Sequence, residues 1–165
     1  MKTLYLIDGS NLIFRAYHAL PPMSTKQGHP TGAALGFVHM LLRLQESYHP
    51  THVAVVFDDG GRSIRTEIYD QYKAHRPRCP DDLIPQFQLT RDLTEALGFK
   101  VLPARDVEAD DLIATLAKKA QRENMRVIIV SSDKDLMQLC NSTISLLDTM
   151  KKPGDGLLYT AKEVE

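Results

Sequence analysis

The hydrophobic residues fall into short continuous runs separated by longer segments of mixed character. Runs at residues 3–7, 52–57, 100–102 and 126–130 are rich in Val, Ile and Leu and do not alternate cleanly with polar positions. Continuous apolar runs of this length are typical of strands that are covered on both faces of a sheet. A fifth run at residues 143–147 predicts one more strand.

The segments between these runs have apolar residues at helical spacing, and they span residues 31–48, 81–97, 109–123 and 134–139. Pro50 follows the first segment and Gly98 ends the second, as expected at helix termini. Strands that alternate with helices in this way predict an α/β fold of three layers. Its central sheet is expected to be mainly parallel, with helices on both faces.

The length of 165 residues suits one domain, and the first acid, Asp8, comes too early for a secretory signal or a membrane span. We therefore expect a cytoplasmic protein. Cys79 and Cys140 lack the spacing of a metal site and are interpreted as free thiols. The net charge of −1 disfavours a simple basic nucleic-acid binder, so the distribution of charge is more informative than its sum.

Acidic residues follow three of the four main apolar runs. Asp8 follows the first, Asp58 the second, and Asp133 and Asp135 the fourth. In an open parallel sheet these positions share the carboxyl edge, where ligands bind. Three more acids lie after the short third run at a predicted helix start and reach the same edge: Glu108, Asp110 and Asp111. We therefore predict that seven carboxylates meet there.

Seven carboxylates at close range repel one another, and burying them without compensation is costly or drives protonation. Divalent cations relieve this repulsion. All-oxygen ligation without clustered His or Cys favours Mg²⁺ or Mn²⁺ over Zn²⁺. Two such ions about 4 Å apart would support phosphodiester hydrolysis by the two-metal mechanism.

Each acid also has a purely structural interpretation, as a helix cap, a turn residue or a favourable charge at a helix N-terminus. Helix starts do not require an acid at every carboxyl end of one sheet, so the conjunction favours the metal site. Four other titratable residues are left out of it: Asp59 as pointing away, Asp106 as a solvated loop acid, and His18 and His39 as packing residues.

The longest irregular stretch, residues 58–80, exceeds the usual length of a connection between a strand and a helix. Its length and basic charge predict a binding loop or lid. Basic and aromatic residues alternate there in a way that suits phosphate neutralisation and base stacking on a single strand: Arg62, Arg65, Tyr69, Tyr72, Lys73, Arg76 and Arg78. A solvated charged helix is the alternative interpretation.

Five motifs, in order along the chain, resemble the 5′-nuclease domain of bacterial DNA polymerase I, a relative of flap endonucleases with a PIN-like fold. They are LIDGSNLIFRAY from residue 6, FDDG from 57, YKAHRP from 72, VEADDLIATLA from 107 and SDKDLMQL from 132. Any one of them is weak, but five in order are specific. The resemblance implies a structure-specific nuclease that cuts 5′ flaps and RNA primers with two Mg²⁺ or Mn²⁺ ions in DNA replication and repair.

The resemblance also implies roles for individual residues. The seven acids correspond to metal ligands, either direct or through water. Lys73 and Arg76 correspond to catalytic basic residues at the base of a helical arch, where they hold the 5′ single strand and offset phosphate charge. Arg65 corresponds to a phosphate contact, although Ile64 stands where the family pattern has Phe, which affects local packing more than chemistry.

Proteins of this family continue into a helix-three-turn-helix, which grips duplex DNA and adds aspartates to the metal site, and then into polymerase domains. We therefore expect residues 1–165 to be the metal-binding subdomain of the nuclease, with the arch at about residues 60–80. This part alone is expected to hold its second ion weakly and to cleave poorly. The whole protein is expected to act in the cytoplasm, at the bacterial nucleoid.

Two other classes of protein gather acids on a similar sheet. A PIN-type ribonuclease usually lacks a long basic segment such as residues 62–78. A receiver-type signalling module that binds Mg²⁺ would place its paired acids after the first strand, whereas Asp110 and Asp111 begin a later helix. A non-catalytic DNA-binding remnant is a further alternative.

Overall fold

The computed structural model of the chain describes residues 2–59, 78–149 and 156–164. The strands are β1 (Thr3–Asp8), β2 (His52–Asp58), β3 (Lys100–Ala104), β4 (Arg126–Val130), β5 (Ile144–Asp148) and β6 (Leu157–Tyr159). The helices are α1 (Gly9–Ala19), α2 (Gly32–Tyr48), α3 (Ile84–Ala96), α4 (Ala109–Arg122) and α5 (Ala161–Val164), with a 3-10 helix at Lys134–Leu139. No helix in the described part of the chain is both long and apolar enough to cross a membrane.

The strands form one sheet in the order β3-β2-β1-β4-β5-β6. β1 to β5 run parallel, and β6 pairs antiparallel with β5. β1 lies between β2 and β4, so the chain moves to one side of β1 first and to the other side later. This reversal of strand order opens a crevice at the carboxyl ends of the strands, where open α/β sheets bind ligands.

Successive side chains of each strand enter different cores, because neighbouring residues of a strand point to opposite faces. Ile7 is fully buried in a core with Leu12 of α1 and Phe37 of α2. Leu6 is fully buried on the other face, with Ile113 of α4. Both faces of the sheet are therefore covered by helices, and the predicted fold class is confirmed.

The observed elements differ from the predicted pattern at three places. α1 begins directly after β1, with no connecting loop and with Asp8 as its N-cap. β6 and α5 are only three and four residues long, too short to produce a periodic pattern. The segment predicted to begin a helix at residue 81 first makes turns, and α3 begins at Ile84 with Pro85 in its first turn.

His18 and His39 do not pack in the core, as the apolar character of their helices had suggested. Both are exposed, because each lies on the solvent-facing side of its amphipathic helix, α1 or α2, although the His18 ring lies edge-on to Tyr17 with the ring centres 5.3 Å apart. Cys79 and Cys140 are free thiols, as predicted.

Candidate metal centre

A pocket of about 200 Å³ opens at the carboxyl edge of the sheet. It is lined by five of the seven predicted acids and four other residues: Asp8, Asp58, Glu108, Asp110 and Asp133, with Ser10, Asn11, Phe14 and Ala109. We call this the acidic pocket. Its five acids come from four separate places in the sequence, which the parallel strands bring to one edge.

Asp8 is the most deeply buried acid of the pocket, with only 4% of its surface exposed. It ends β1 and begins α1, and its Oδ1 accepts a hydrogen bond from the backbone N–H of Asn11 at 3.0 Å. Its Oδ2 accepts a hydrogen bond from the Ser131 hydroxyl at 2.8 Å. Asp8 is thus a helix cap and a pocket acid at the same time.

Asp58 connects the end of β2 to the starts of two helices. Its backbone N–H donates to Ser10 Oγ of α1 at 3.0 Å. Its Oδ1 accepts from the backbone N–H of Ala109, the first residue of α4, at 2.8 Å. Each of these bonds spans about fifty residues of sequence, so the position of Asp58 is set by the tertiary fold.

Asp133 is held by the loop that follows β4. Its backbone N–H donates to the Ser131 hydroxyl at 3.1 Å, and its Oδ1 accepts from the backbone N–H of Asp135 at 2.9 Å. Asn11 Oδ1 accepts from both the backbone N–H and the hydroxyl of Ser132, at 3.2 and 3.0 Å. Ser131 therefore links Asp8 to Asp133, and Asn11 ties the same loop to α1.

The acids at the start of α4 divide between helix capping and the pocket. Glu108 and Asp111 form a capping box, in which Asp111 Oδ2 accepts from the backbone N–H of Glu108 at 3.3 Å. Glu108 and Asp110 line the acidic pocket, whereas Asp111 does not. Consecutive helix residues point about 100° apart, which is why Asp110 faces the other acids and Asp111 turns back to the helix.

The electrostatics of the pocket disfavour carboxylate charge. Burial raises the pKa of Asp8 to about 6, and the nearby Asp58 and Asp133 add to this, against the opposing hydrogen bonds from Asn11 and Ser131. Burial also raises the pKa of Asp110 to about 6, with further contributions from the charges of Asp8, Asp133, Asp58 and Glu108. A divalent cation between these groups would remove the repulsion.

The donor set of the pocket suits a hard divalent ion. Its polar side chains offer oxygen from carboxylates, a hydroxyl and an amide, and neither His nor Cys lines it. In the described part of the chain, no three His, Cys, Asp or Glu side chains form a group that could hold an ion by themselves. Mg²⁺ commonly keeps several waters and takes one or two carboxylates, which suits acids spread around a pocket of this size.

The remaining predicted residues lie elsewhere. Asp135 is exposed and does not line the acidic pocket. Arg78 is exposed and pairs with Asp81 at 3.1 Å. Asp106 is exposed, as predicted, and Asp59 does not line the pocket. The other predicted DNA contacts lie outside the described residues: Arg62, Arg65, Tyr69, Tyr72, Lys73 and Arg76.

The sequence matches, over residues 3–165, the family described as the 5′-3′ exonuclease, N-terminal resolvase-like domain. The chain belongs to this family. The resemblance drawn from the five motifs is therefore confirmed.

Two curated relatives show how much of a longer protein this exonuclease domain spans. DNA polymerase I of Rhizobium leguminosarum is 45% identical in an alignment 162 residues long, and the match covers 93% of this chain and 16% of the relative. A 5′-3′ exonuclease of Aquifex aeolicus (strain VF5) is 41% identical over 150 residues, which is 91% of this chain and 52% of the relative. The chain thus spans about a sixth of the first protein and about half of the second.

Solved structures share the fold of this exonuclease domain. A T5 5′-exonuclease with bound zinc ions has a TM-score of 0.71 and 26% identity, over 96% of this chain and 58% of that one. A T5 flap endonuclease in a pseudo-enzyme-product complex with DNA and metal ions has a TM-score of 0.69, at 26% identity and the same coverage. The catalytic core of Rad2 with a DNA substrate has a TM-score of 0.60 at 18% identity, over 99% of this chain and 49% of that one, and shows the fold alone.

Sequence reasoning missed several residues of the exonuclease domain that support the pocket acids. Ser10 bonds to Asp58, Asn11 bonds to the loop after β4, and Ser131 bonds to Asp8. In the sequence, only the closeness of these three residues to the acidic motifs pointed to them. A second missed group comprises two residues. Asp148 ends β5 and is 4% exposed, so the rule of an acid after each strand would have found it.

Arg15 of α1 is the other member of that group. Its Nη2 donates to Thr149 Oγ1 at 3.3 Å. Burial lowers the pKa of Arg15, and the charges of Asp148 and Asp8 oppose this shift. The guanidinium is therefore a partly buried positive charge near two buried carboxylates, Asp148 and Asp8.

Ser131→Ala should loosen two acids at once. We expect the free energy of unfolding to fall by about 1–2 kcal/mol, because the buried Asp8 carboxylate and the Asp133 N–H each lose a partner. Mn²⁺ binding, measured by calorimetry, should weaken by roughly tenfold, the usual effect of losing a group that orients a ligand. Ser145→Ala, at a similarly buried serine of β5, is the control and should leave Mn²⁺ affinity unchanged. Equal Mn²⁺ affinities for the two variants would contradict the linking role of Ser131.

Proposed function

We propose that this chain is the metal-binding part of a structure-specific 5′-nuclease that hydrolyses phosphodiesters at 5′ flaps and RNA primers in DNA replication and repair. The observation that carries the proposal is the acidic pocket, in which five carboxylates from four segments face one another at the carboxyl edge. Membership in the 5′-3′ exonuclease family supports the same reaction. The related T5 flap endonuclease, which was solved in a complex with DNA and metal ions, adds to this support.

The chain's own residues would hold the ions and fix their spacing. Asp8, Asp58, Asp110, Asp133 and Glu108 would take Mg²⁺ or Mn²⁺, directly or through water. Asp111 and Asp135 would act through water, because neither lines the pocket. When bound, two ions would activate the attacking water and stabilise the leaving oxygen of the phosphodiester.

The pocket carboxylates are held in place by hydrogen bonds from Ser131 and from backbone N–H groups. Ser131 bonds to Asp8, and the backbone N–H groups of Asn11 and Ala109 bond to Asp8 and Asp58. Such second contacts orient metal ligands and maintain their geometry in the absence of substrate. The carboxylate positions would therefore be largely fixed before DNA arrives.

Substrate contacts are proposed for the basic segment. Lys73 and Arg76 would offset phosphate charge near the reaction, and the remaining basic and aromatic residues would bind the 5′ single strand: Arg62, Arg65, Tyr69, Tyr72 and Arg78. The motif at residues 72–77 supports this part of the proposal. We further propose a cytoplasmic location at the bacterial nucleoid. The relatives named DNA polymerase I support a longer polypeptide with polymerase domains, in which this chain would be completed.

The deciding experiment compares two substrates in the full-length protein that carries this chain. With Mn²⁺ present, a 5′-flap duplex should be cut near the junction, and free single-stranded RNA of the same length should be cut far more slowly. Preferential cleavage of the RNA would replace the proposal with a PIN-type ribonuclease. Uptake of phosphate from a small phosphodonor, without cleavage of either substrate, would favour a receiver-type module instead.

A further inference from the structure

We propose that Arg91 of α3 is a positioning residue, which holds the carboxyl end of β2 and thereby directs Asp58 into the acidic pocket. This inference rests on the function proposed above, because it gives Arg91 a part in assembling the metal site. Arg91 was not among the residues suggested by the sequence motifs, and it lies 33 positions from Asp58 along the chain.

One guanidinium contacts three consecutive residues at the end of β2. Its Nη2 donates a hydrogen bond to the backbone carbonyl of Asp58. Its Nη1 lies 3.5 Å from Oδ1 of Asp59. Its central carbon lies 5.6 Å from the centre of the Phe57 ring, within range of a cation–π contact. A planar group with several N–H donors can make these contacts together, whereas an ammonium group cannot.

The environment of Arg91 is unusual for an arginine. Its side chain is only 21% exposed. Its Nε is buried, with no hydrogen-bond partner among the residues that the structure describes. Burying part of a charged group without full pairing destabilises a fold. An incompletely paired charge beside the acidic pocket is therefore better explained by the geometry that it imposes than by a gain in stability.

The contact with Phe57 connects Arg91 to Asp8 as well as to Asp58. Phe57 is fully buried, and its ring packs closely against Gly9, where an added Cβ would lie 2.7 Å from the ring. Gly9 immediately follows Asp8 in the chain. The Phe57 ring therefore fixes the separation of the two strand ends that carry Asp8 and Asp58, and the guanidinium over the ring holds it in place.

The helix that presents Arg91 is itself fixed to the rest of the domain. Gln86 of α3 is 2% exposed, and its Oε1 accepts a hydrogen bond from the backbone N–H of Ala34 in α2 at 3.1 Å. Its Nε2 donates to the carbonyl of Asp82 at 2.9 Å. Arg91 thus reaches the end of β2 from a helix that is hydrogen-bonded to α2. An arginine that served only to bind substrate phosphate would not need a hydrogen bond to the backbone carbonyl of Asp58.

The test uses Arg91→Met, which keeps much of the side-chain length and removes the charge and donors, and Arg91→Lys, which keeps the charge alone. For Arg91→Met we expect Mn²⁺ affinity without DNA to fall by about tenfold or more, as when other groups that orient metal ligands are removed. We expect kcat for flap cleavage to fall by at least about tenfold, with KM for the flap within about threefold of the parent. Arg91→Lys should recover only part of both losses, because the fork of donors is missing.

A matched control is Arg122→Met, which removes an exposed arginine from the last turn of α4, at the opposite end of that helix from the pocket. It should leave Mn²⁺ affinity and kcat unchanged. Parent-like Mn²⁺ affinity in Arg91→Met, or a change confined to KM, would overturn the positioning role. Full recovery by Arg91→Lys would overturn it too, since charge alone would then be sufficient.

One further variant, and the measurement of Mn²⁺ binding without DNA, keep the result decisive. If Arg91→Met does not fold, Asp59→Asn, which removes only the ion pair, should lower Mn²⁺ affinity in the same direction by a smaller factor, and no change there would overturn the role. Because Mn²⁺ binding is measured without DNA, the positioning role of Arg91 and the nuclease function are tested independently. A parent protein that binds Mn²⁺ but does not cut a flap would reject the nuclease function, while a loss of Mn²⁺ affinity in Arg91→Met would still support the positioning role.

Discussion

Asp110→Asn in the full-length protein should abolish flap cleavage and leave flap binding nearly unchanged. Asp110 lines the acidic pocket, and its raised pKa reflects burial and four neighbouring acids. Removing its charge takes away a ligand that the divalent ions need in the transition state. We expect kcat to fall by roughly 10³-fold or more, which corresponds to about 4 kcal/mol of lost transition-state stabilisation. Single-turnover cleavage of a labelled flap measures this fall.

The dissociation constant of the same flap should stay within about threefold, because removing a negative charge does not weaken contacts to phosphate. The control is Asp106→Asn, which makes the same chemical change two residues before Glu108 at an exposed loop position. It should cleave at the parent rate. Retained turnover in Asp110→Asn would count heavily against the metal-dependent mechanism.

Asp8→Asn should stabilise the metal-free protein at neutral pH although it damages the site. The folded state raises the pKa of Asp8 from 3.8 to about 6. Between these two values the folded protein binds more protons than the unfolded chain, so stability falls as the pH rises through this window and stays low above it. Two pKa units correspond to about 3 kcal/mol, and a changed hydrogen bond to Ser131 reduces the expected gain to about 1–2 kcal/mol.

Urea unfolding in EDTA at about pH 5 and about pH 7.5 measures this effect, and the variant should show a flatter dependence on pH than the parent. Saturating Mg²⁺ should reverse the order of stability, because only the parent gains free energy from binding the ion. Asp106→Asn, at an exposed acid, should keep the parent pH dependence. A variant less stable than the parent at both pH values in EDTA would show that the capping bonds of Asp8 outweigh its repulsion.

The pocket acids that could be predicted from the sequence are those whose positions follow from local pattern and sheet topology. Asp8 and Asp58 each end a continuous apolar run, and parallel strands bring such ends together. The same rule placed Asp133 correctly. Asp111 was expected to join the cluster, but its side chain is used in the capping box instead. Whether an acid at a helix start caps the helix or lines the pocket depends on the direction of its side chain, which the spacing of acids along the sequence does not give.

The supporting residues could not be predicted because their contacts join distant segments. Ser131 meets Asp8 across 123 positions, and Arg91 meets Asp58 across 33. Ser131 is marked in the sequence only by its closeness to the motif that begins at residue 132, and Arg91 lies in none of the five motifs. The exposed His18 and His39 illustrate a related limit, since an amphipathic pattern indicates a helix but gives the orientation of a borderline residue only approximately.

α1 and α4 both begin at the acidic pocket, one at Asp8 and the other at Glu108. The first turn of each helix carries partial positive charge, which favours nearby anions by about 0.3–1 kcal/mol per helix. Two such ends facing the same carboxylates offset part of their mutual repulsion before any cation arrives. The ions would then enter a site that is already assembled, so little of their binding energy would be used to organise the protein.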